Sequence, residues 1–155
     1  WRGPEDIQKF MRDGKGMLKW LPLLAPLLKL ACGPAALRKL VLAREMQHGD
    51  RMDAADAREH FDRILRMTIL DEFLDENLAP VAPLPADRQV PLRVIWGVND
   101  VILPFERFGQ PLLDALGLKS CVMLDDCGHN PMFDDPERVA SEMLGFIREV
   151  EGSRN

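Results

Sequence analysis

The stretch VPLRVIWGVNDVILP, residues 90–104, read together with SCVMLDDCGHNPMFDDPE, residues 120–137, decides how this chain is organised. Two short apolar runs, Leu92 to Trp96 and Cys121 to Leu124, have the length and the Val/Ile/Leu/Met content of buried strands. A turn follows each run and presents a titratable residue: Gly97-Val98-Asn99-Asp100 after the first, Asp125-Asp126-Cys127-Gly128-His129 after the second. Between the runs, Pro104, Phe105, Phe108, Leu112, Leu113 and Leu116 read as a helical connection stopped by Gly117, and Pro111 predicts an interruption of that helix at Gln110. The order is strand, acid, helix, strand, histidine, helix.

Parallel strands joined by helices place their carboxyl ends on one edge of a sheet, where loops converge. This order therefore predicts Asp100 and His129 side by side on that edge. A carboxylate against an imidazole fixes the tautomer of the ring and stabilises the imidazolium formed when the ring takes a proton from a nucleophile. Alone, each residue is an ordinary turn residue. Their occurrence after consecutive predicted strands, one crossover apart, favours a joint role.

The two motifs, Trp96-Gly97-Val98-Asn99-Asp100 and Gly128-His129-Asn130-Pro131, resemble those of the α/β-hydrolase family, in which a strand ending in Trp-Gly-x-x-Asp carries the triad acid and a later Gly-His-x-Pro turn carries the base. The resemblance covers Val90 to about Val150. It implies an α/β fold class, the C-terminal part of an α/β-hydrolase core with parallel strands and crossover helices, preceded by an all-helical cap. It also implies hydrolysis of an ester or similar acyl bond, with Asp100 orienting His129 and His129 acting as general base and then general acid. No metal and no organic cofactor is implied.

The nucleophile of that family sits on a Gly-x-Ser-x-Gly elbow ahead of the acid. Here the serines are Ser120, Ser141 and Ser153; none has those flanking glycines and all follow Asp100. The expectation is a nucleophile upstream of Trp1, an inactive isolated chain, and partners consisting of a small apolar ester-like substrate and either the missing N-terminal half or another copy of the chain. Relatives with an Asp nucleophile, such as haloalkane dehalogenases and epoxide hydrolases, are the alternative within enzymes. The lack of any Tyr counts against the epoxide hydrolases, which use cap tyrosines. A non-catalytic binding protein on the same fold is the alternative outside enzymes. Cys127 reads as structural, because nothing in Asp-Asp-Cys-Gly aims a thiol at the base.

Working outward, residues 79–89 hold Pro80, Pro83 and Pro85 and read as a stiff connector between a helical front part, residues 1–78, and the part beginning at 90. Leu18 to Leu42 is the most apolar region, but Lys19 and Lys29 bracket the run Trp20 to Leu28, well short of the roughly 20 residues that span a bilayer. Pro22, Pro26 and Pro34 predict short helical pieces there, with Gly33-Pro34 as a turn; the segment reads as a lipophilic lid over an active site, as a membrane-surface segment, or as helix packed against a core. From Asp53, a suitable N-cap, Ala57, Phe61, Ile64, Leu65 and Thr68 fall on one face of an amphipathic helix. The last helix is marked by Asp135 as cap, Pro136 at its first position, and Val139, Met143, Ile147 and Val150 along one face, before a frayed tail, residues 151–155.

Composition sets bounds on the rest. With 155 residues, 46% hydrophobic, the chain is long enough for a core, and a net charge of −5 gives no support to nucleic-acid binding. Residues 1–50 hold nine Lys/Arg against five Asp/Glu, a net of +4, which leaves −9 for the remainder. Cys32, Cys121 and Cys127 are odd in number and lack CxxC spacing, which points to a reducing, cytoplasmic compartment rather than a disulfide framework or a zinc site. His48 and His60, with acids nearby, fit no metal-ligand spacing.

Overall fold

A computed structural model describes residues 4–67 and 90–153. The connector at 79–89, Thr68 and the end of the tail lie outside the described residues. Those described form two compact units, one of residues 4–41 and 49–67, the other of residues 42–48 and 90–153.

The first unit is helical: α1 (Pro4–Ala31), most of α2 (Ala35–Leu42) and α3 (Ala54–Arg66). The short helical pieces expected from the prolines are instead one continuous α1, with Pro22 and Pro26 inside it. Each proline removes an N–H and deprives the carbonyl four residues earlier of its usual donor. Four residues apart, both prolines lie on the same exposed side, where water can serve those carbonyls. The helix does end before Gly33-Pro34, and the Pro34 carbonyl accepts the Arg38 N–H at 2.9 Å to start α2. Asp53 caps α3 by accepting the Ala55 N–H at 2.7 Å. α1 packs against α3, with Ala25 buried on α1, Cys32 buried just past its end, and Ala57 and Phe61 buried on α3; Lys29 and Asp62 form an ion pair between the two helices at 2.8 Å. On its other side α1 exposes Trp20, Leu23, Leu24, Leu27 and Leu30, so this helix is apolar on two faces.

In the second unit, β1 (Ile95–Gly97) and β2 (Val122–Leu124) pair in parallel, with Ile95 opposite Val122, Trp96 opposite Met123 and Gly97 opposite Leu124. This corrects the expected α/β class. Among the described residues the sheet has two strands of three residues, and nearly all other regular structure is helical, so the described residues do not form an α/β core of parallel strands and crossover helices. The two apolar runs can make only this short ladder with each other. A wider parallel sheet needs further strands on its edges, and Leu92 and Arg93 lie outside the ladder, while Val94 adds one bond through its carbonyl to the Val122 N–H at 2.9 Å.

A π-helical turn, Phe105–Gly109, runs into α4 (Gln110–Leu116), with Pro111 in the first turn of α4, the part of a helix that best tolerates proline. Gly117 then stops α4 in the left-handed conformation, φ 66°, with Leu118 N–H returning to the Leu113 carbonyl at 2.9 Å. After β2 come the single turn α5 (Pro131–Asp134) and α6 (Pro136–Gly152), the latter capped by Asp135, which accepts the Arg138 N–H at 3.0 Å. Arg93 fixes α6 to the chain ahead of β1 by pairing with Glu149 and lying over the Phe146 ring, 4.8 Å from its centroid.

Candidate functional site

The turn after β1 is built so that Asp100 cannot wander. Its N–H bonds to the Gly97 carbonyl at 3.2 Å, while Val98 and Asn99 donate to the carbonyls of Leu124 and Cys127 at 3.0 and 2.9 Å. Oδ1 of Asp100 then accepts the N–H groups of Ile102 and Leu103 at 2.9 and 2.8 Å. Trp96 supports the far side of this loop, its indole N–H donating to the Leu103 carbonyl at 3.1 Å and its ring meeting Phe105 edge to face. The carboxylate is left buried with one oxygen, Oδ2, unclaimed by backbone.

That oxygen meets His129. Nδ1 of His129 donates to Asp100 Oδ2 at 2.9 Å. Because an ionised carboxylate only accepts, the neutral ring must carry its proton on Nδ1 and its lone pair on Nε2. Among the described residues Nε2 has no hydrogen-bond partner, and the ring is about one-third exposed while the Asp100 side chain is 5% exposed. The bond from Asp100 raises the imidazole pKa above its ordinary 6.5 against the opposing effect of burial, and the charges of Asp100 and Glu45 add to the rise. The ring is thus oriented at one nitrogen and available at the other, which is the arrangement a proton-transfer group needs.

The two motif glycines have steric reasons. A Cβ on Gly97 would lie 2.1 Å from the Gly128 carbonyl oxygen and 2.5 Å from that of Cys127, so the end of β1 can touch the histidine turn only without a side chain. A Cβ on Gly128 would lie 3.1 Å from the Cα of Met46 and 3.2 Å from the N of Gln47. Asp126, in the same turn, adopts the left-handed conformation at φ 59°, which Asp tolerates better than most residues.

Sequence reasoning missed what lies against that turn. Residues 42–48 belong to this unit: the Glu45 carbonyl accepts the Asn130 N–H at 2.8 Å, and His48 Nε2 bonds Asp126 Oδ2 at 2.7 Å. Asp134, 2% exposed, accepts N–H groups from Gly128, Gln47 and His48. The partners are 86 and 87 positions apart for the last two bonds, and no local pattern signals such a pairing.

Among the described residues no thiol or hydroxyl is hydrogen-bonded to the base. Cys127 is buried, and burial, followed by the charges of Asp134 and Asp135, pushes its thiol up and away from the reactive thiolate. Ser120 precedes β2, at the end opposite His129, and Ser153 donates to the Val150 carbonyl at 2.9 Å. Ser141 is exposed on α6. His48 and His60 fall in different units, and His60 meets the Phe61 ring edge to face. Among the described residues no group of three or more His, Cys, Asp or Glu is placed to hold a metal ion, and no helix is long and apolar enough to cross a membrane. No protein-family model, curated protein or solved structure matches this chain.

Proposed function

We propose that Asp100 and His129 are the acid and the base of a nucleophile–histidine–acid hydrolase acting on an ester or similar acyl bond, the nucleophile being supplied from outside the described residues. The observation that carries the reading is the 2.9 Å bond from His129 Nδ1 to a buried carboxylate, with Nε2 left open. Asp100 holds the Nδ1–H tautomer. His129 takes the proton of the attacking hydroxyl at Nε2 and returns it to the leaving alkoxide. The motifs Trp-Gly-x-x-Asp and Gly-His-x-Pro lend the reading their resemblance to α/β-hydrolases, now without the expected sheet. Val98, Val101, Met132 and Phe133, all exposed and within four residues of the pair in sequence, suit an apolar acyl substrate. The remaining partner is the polypeptide that carries the nucleophile and the oxyanion donors, either more of the same chain or another copy.

Hydrolysis of short- and long-chain p-nitrophenyl esters by the protein at its natural length tests this. Asp100→Asn should lower kcat by about 10⁴-fold, and His129→Ala by a comparable factor. Because the ring pKa is raised, activity should climb with pH through a value above the ordinary 6.5 of histidine, as the base loses its proton. Turnover indifferent to His129→Ala would end the proposal. Turnover by residues 1–155 alone that vanishes in His129→Ala would move the nucleophile into this chain.

A further inference from the structure

Residues 128 and 130, on either side of His129, are both tied down by hydrogen bonds that neither motif contains. Gly128 N–H donates to Asp134 Oδ2 at 2.7 Å, and Asn130 N–H to the Glu45 carbonyl at 2.8 Å. Asp134 is nearly sealed from solvent, and its carboxylate also receives Gln47 N–H on Oδ2 at 3.0 Å and His48 N–H on Oδ1 at 2.7 Å. A buried carboxylate is costly unless its lone pairs are filled, and here both oxygens are filled by backbone amides from two separated parts of the chain. The arrangement is therefore stable only when the histidine turn and residues 45–48 are seated together.

We infer that Asp134 is a positioning residue for the candidate base: its carboxylate clamps the Gly128 amide and residues 47–48 and so sets the placement of the His129 ring against Asp100. This rests on the reading of His129 as the base, and it names what holds that base in register. Asp134, 2% exposed, is closed to a substrate. Its effect travels through the backbone of one residue, Gly128, whose lack of a side chain permits the close approach of Met46 and Gln47.

The test is nitrogen-detected NMR titration of the His129 ring in the full chain and in Asp134→Asn, which keeps the shape but replaces one acceptor oxygen by an NH₂ that faces an N–H. In the parent, the ring should titrate above 6.5 with the proton on Nδ1 in the neutral form. In the variant, with its helical circular dichroism retained, the midpoint should fall toward 6.5 and the Nδ1–H preference should weaken as the bond to Asp100 loosens. A folded variant with an unchanged His129 titration would overturn the inference, leaving Asp134 as a tie for residues 45–48 alone. Should the variant fail to fold, amide exchange in the parent decides: Gly128, Gln47 and His48 should be protected together, and rapid exchange at Gly128 overturns the clamp. Since these readouts follow the ring and the amides rather than turnover, they stand apart from the esterase assay. A normal ring titration with no ester hydrolysis would count against the function and leave the clamp intact.

Discussion

The two units each bury a charge, and they neutralise it in opposite ways. In the first, Arg38 is 7% exposed and donates to four backbone carbonyls: Cys32 at 2.8 Å, Gly33 at 2.9 Å, Asp50 at 3.0 Å and Gly49 at 3.2 Å. Two of these follow the end of α1, where carbonyls lack intrahelical donors, so the guanidinium does the work of a C-cap and joins that end to the turn before α3. In the second unit, Asp134 accepts from three backbone amides. Arg38 secures a helix end far in sequence from either motif. Asp134 secures the turn that carries His129. The comparison teaches that a buried ion satisfied by main chain fixes the path of the chain, and that its bearing on function depends only on which loop it fixes.

The largest effect that would separate the two is expected from Asp134→Ala. It leaves three buried amides without their acceptor, at about 1–3 kcal/mol for each that stays dry, so a net loss of about 4 kcal/mol in chemical denaturation is expected. Gly97→Ala attacks the same turn from the other side. The new methyl meets backbone oxygen rather than a flexible side chain, and overpacking of this kind should cost about 3 kcal/mol and displace His129. Arg38→Ala should cost about 2 kcal/mol, because its bonds to the Gly33 and Asp50 carbonyls are only part-buried and water can replace them there, and it should leave the His129 titration unmoved. A shift there would erase the distinction between the two ions.

Smaller effects sharpen the contrast. The folded-state pKa of His129 is raised, so the stability contributed by its bond to Asp100 is fully present below the unfolded value near 6.5 and is lost as pH rises through the folded pKa. The urea midpoint should therefore decline across that window in the parent, and the decline should flatten in Asp100→Asn. Least of all should come from Lys29→Ala. The Lys29–Asp62 pair is bidentate at 2.8 and 2.9 Å, yet its side chains are 33% and 39% exposed, and such pairs contribute less than about 1 kcal/mol.

Local chemistry was legible in the residues themselves. Asp53 and Asp135 announced two helix starts, Gly117 a left-handed stop, Pro111 an interrupted helix, and the turns ending in Asp100 and His129 a carboxylate–imidazole pair, because each depends on backbone groups or strand ends a few positions away. The extent of the sheet was not legible. Strand length and apolar content say that a segment can pair; only the presence of neighbours says how wide the sheet becomes, and here two three-residue strands are all that the described residues form. Pro22 and Pro26 read as breaks, and it took the packing of α1 on α3, with both prolines on the exposed side, to carry the helix through them. Likewise, the seating of residues 45–48 on the histidine turn, and the role of Asp134 within it, rest on hydrogen bonds between residues more than 80 positions apart. The sequence determined which side chains stand at the strand ends; tertiary structure decided what holds them there, because backbone amides and carbonyls are the same in every residue and reveal their partners only when the chain is folded.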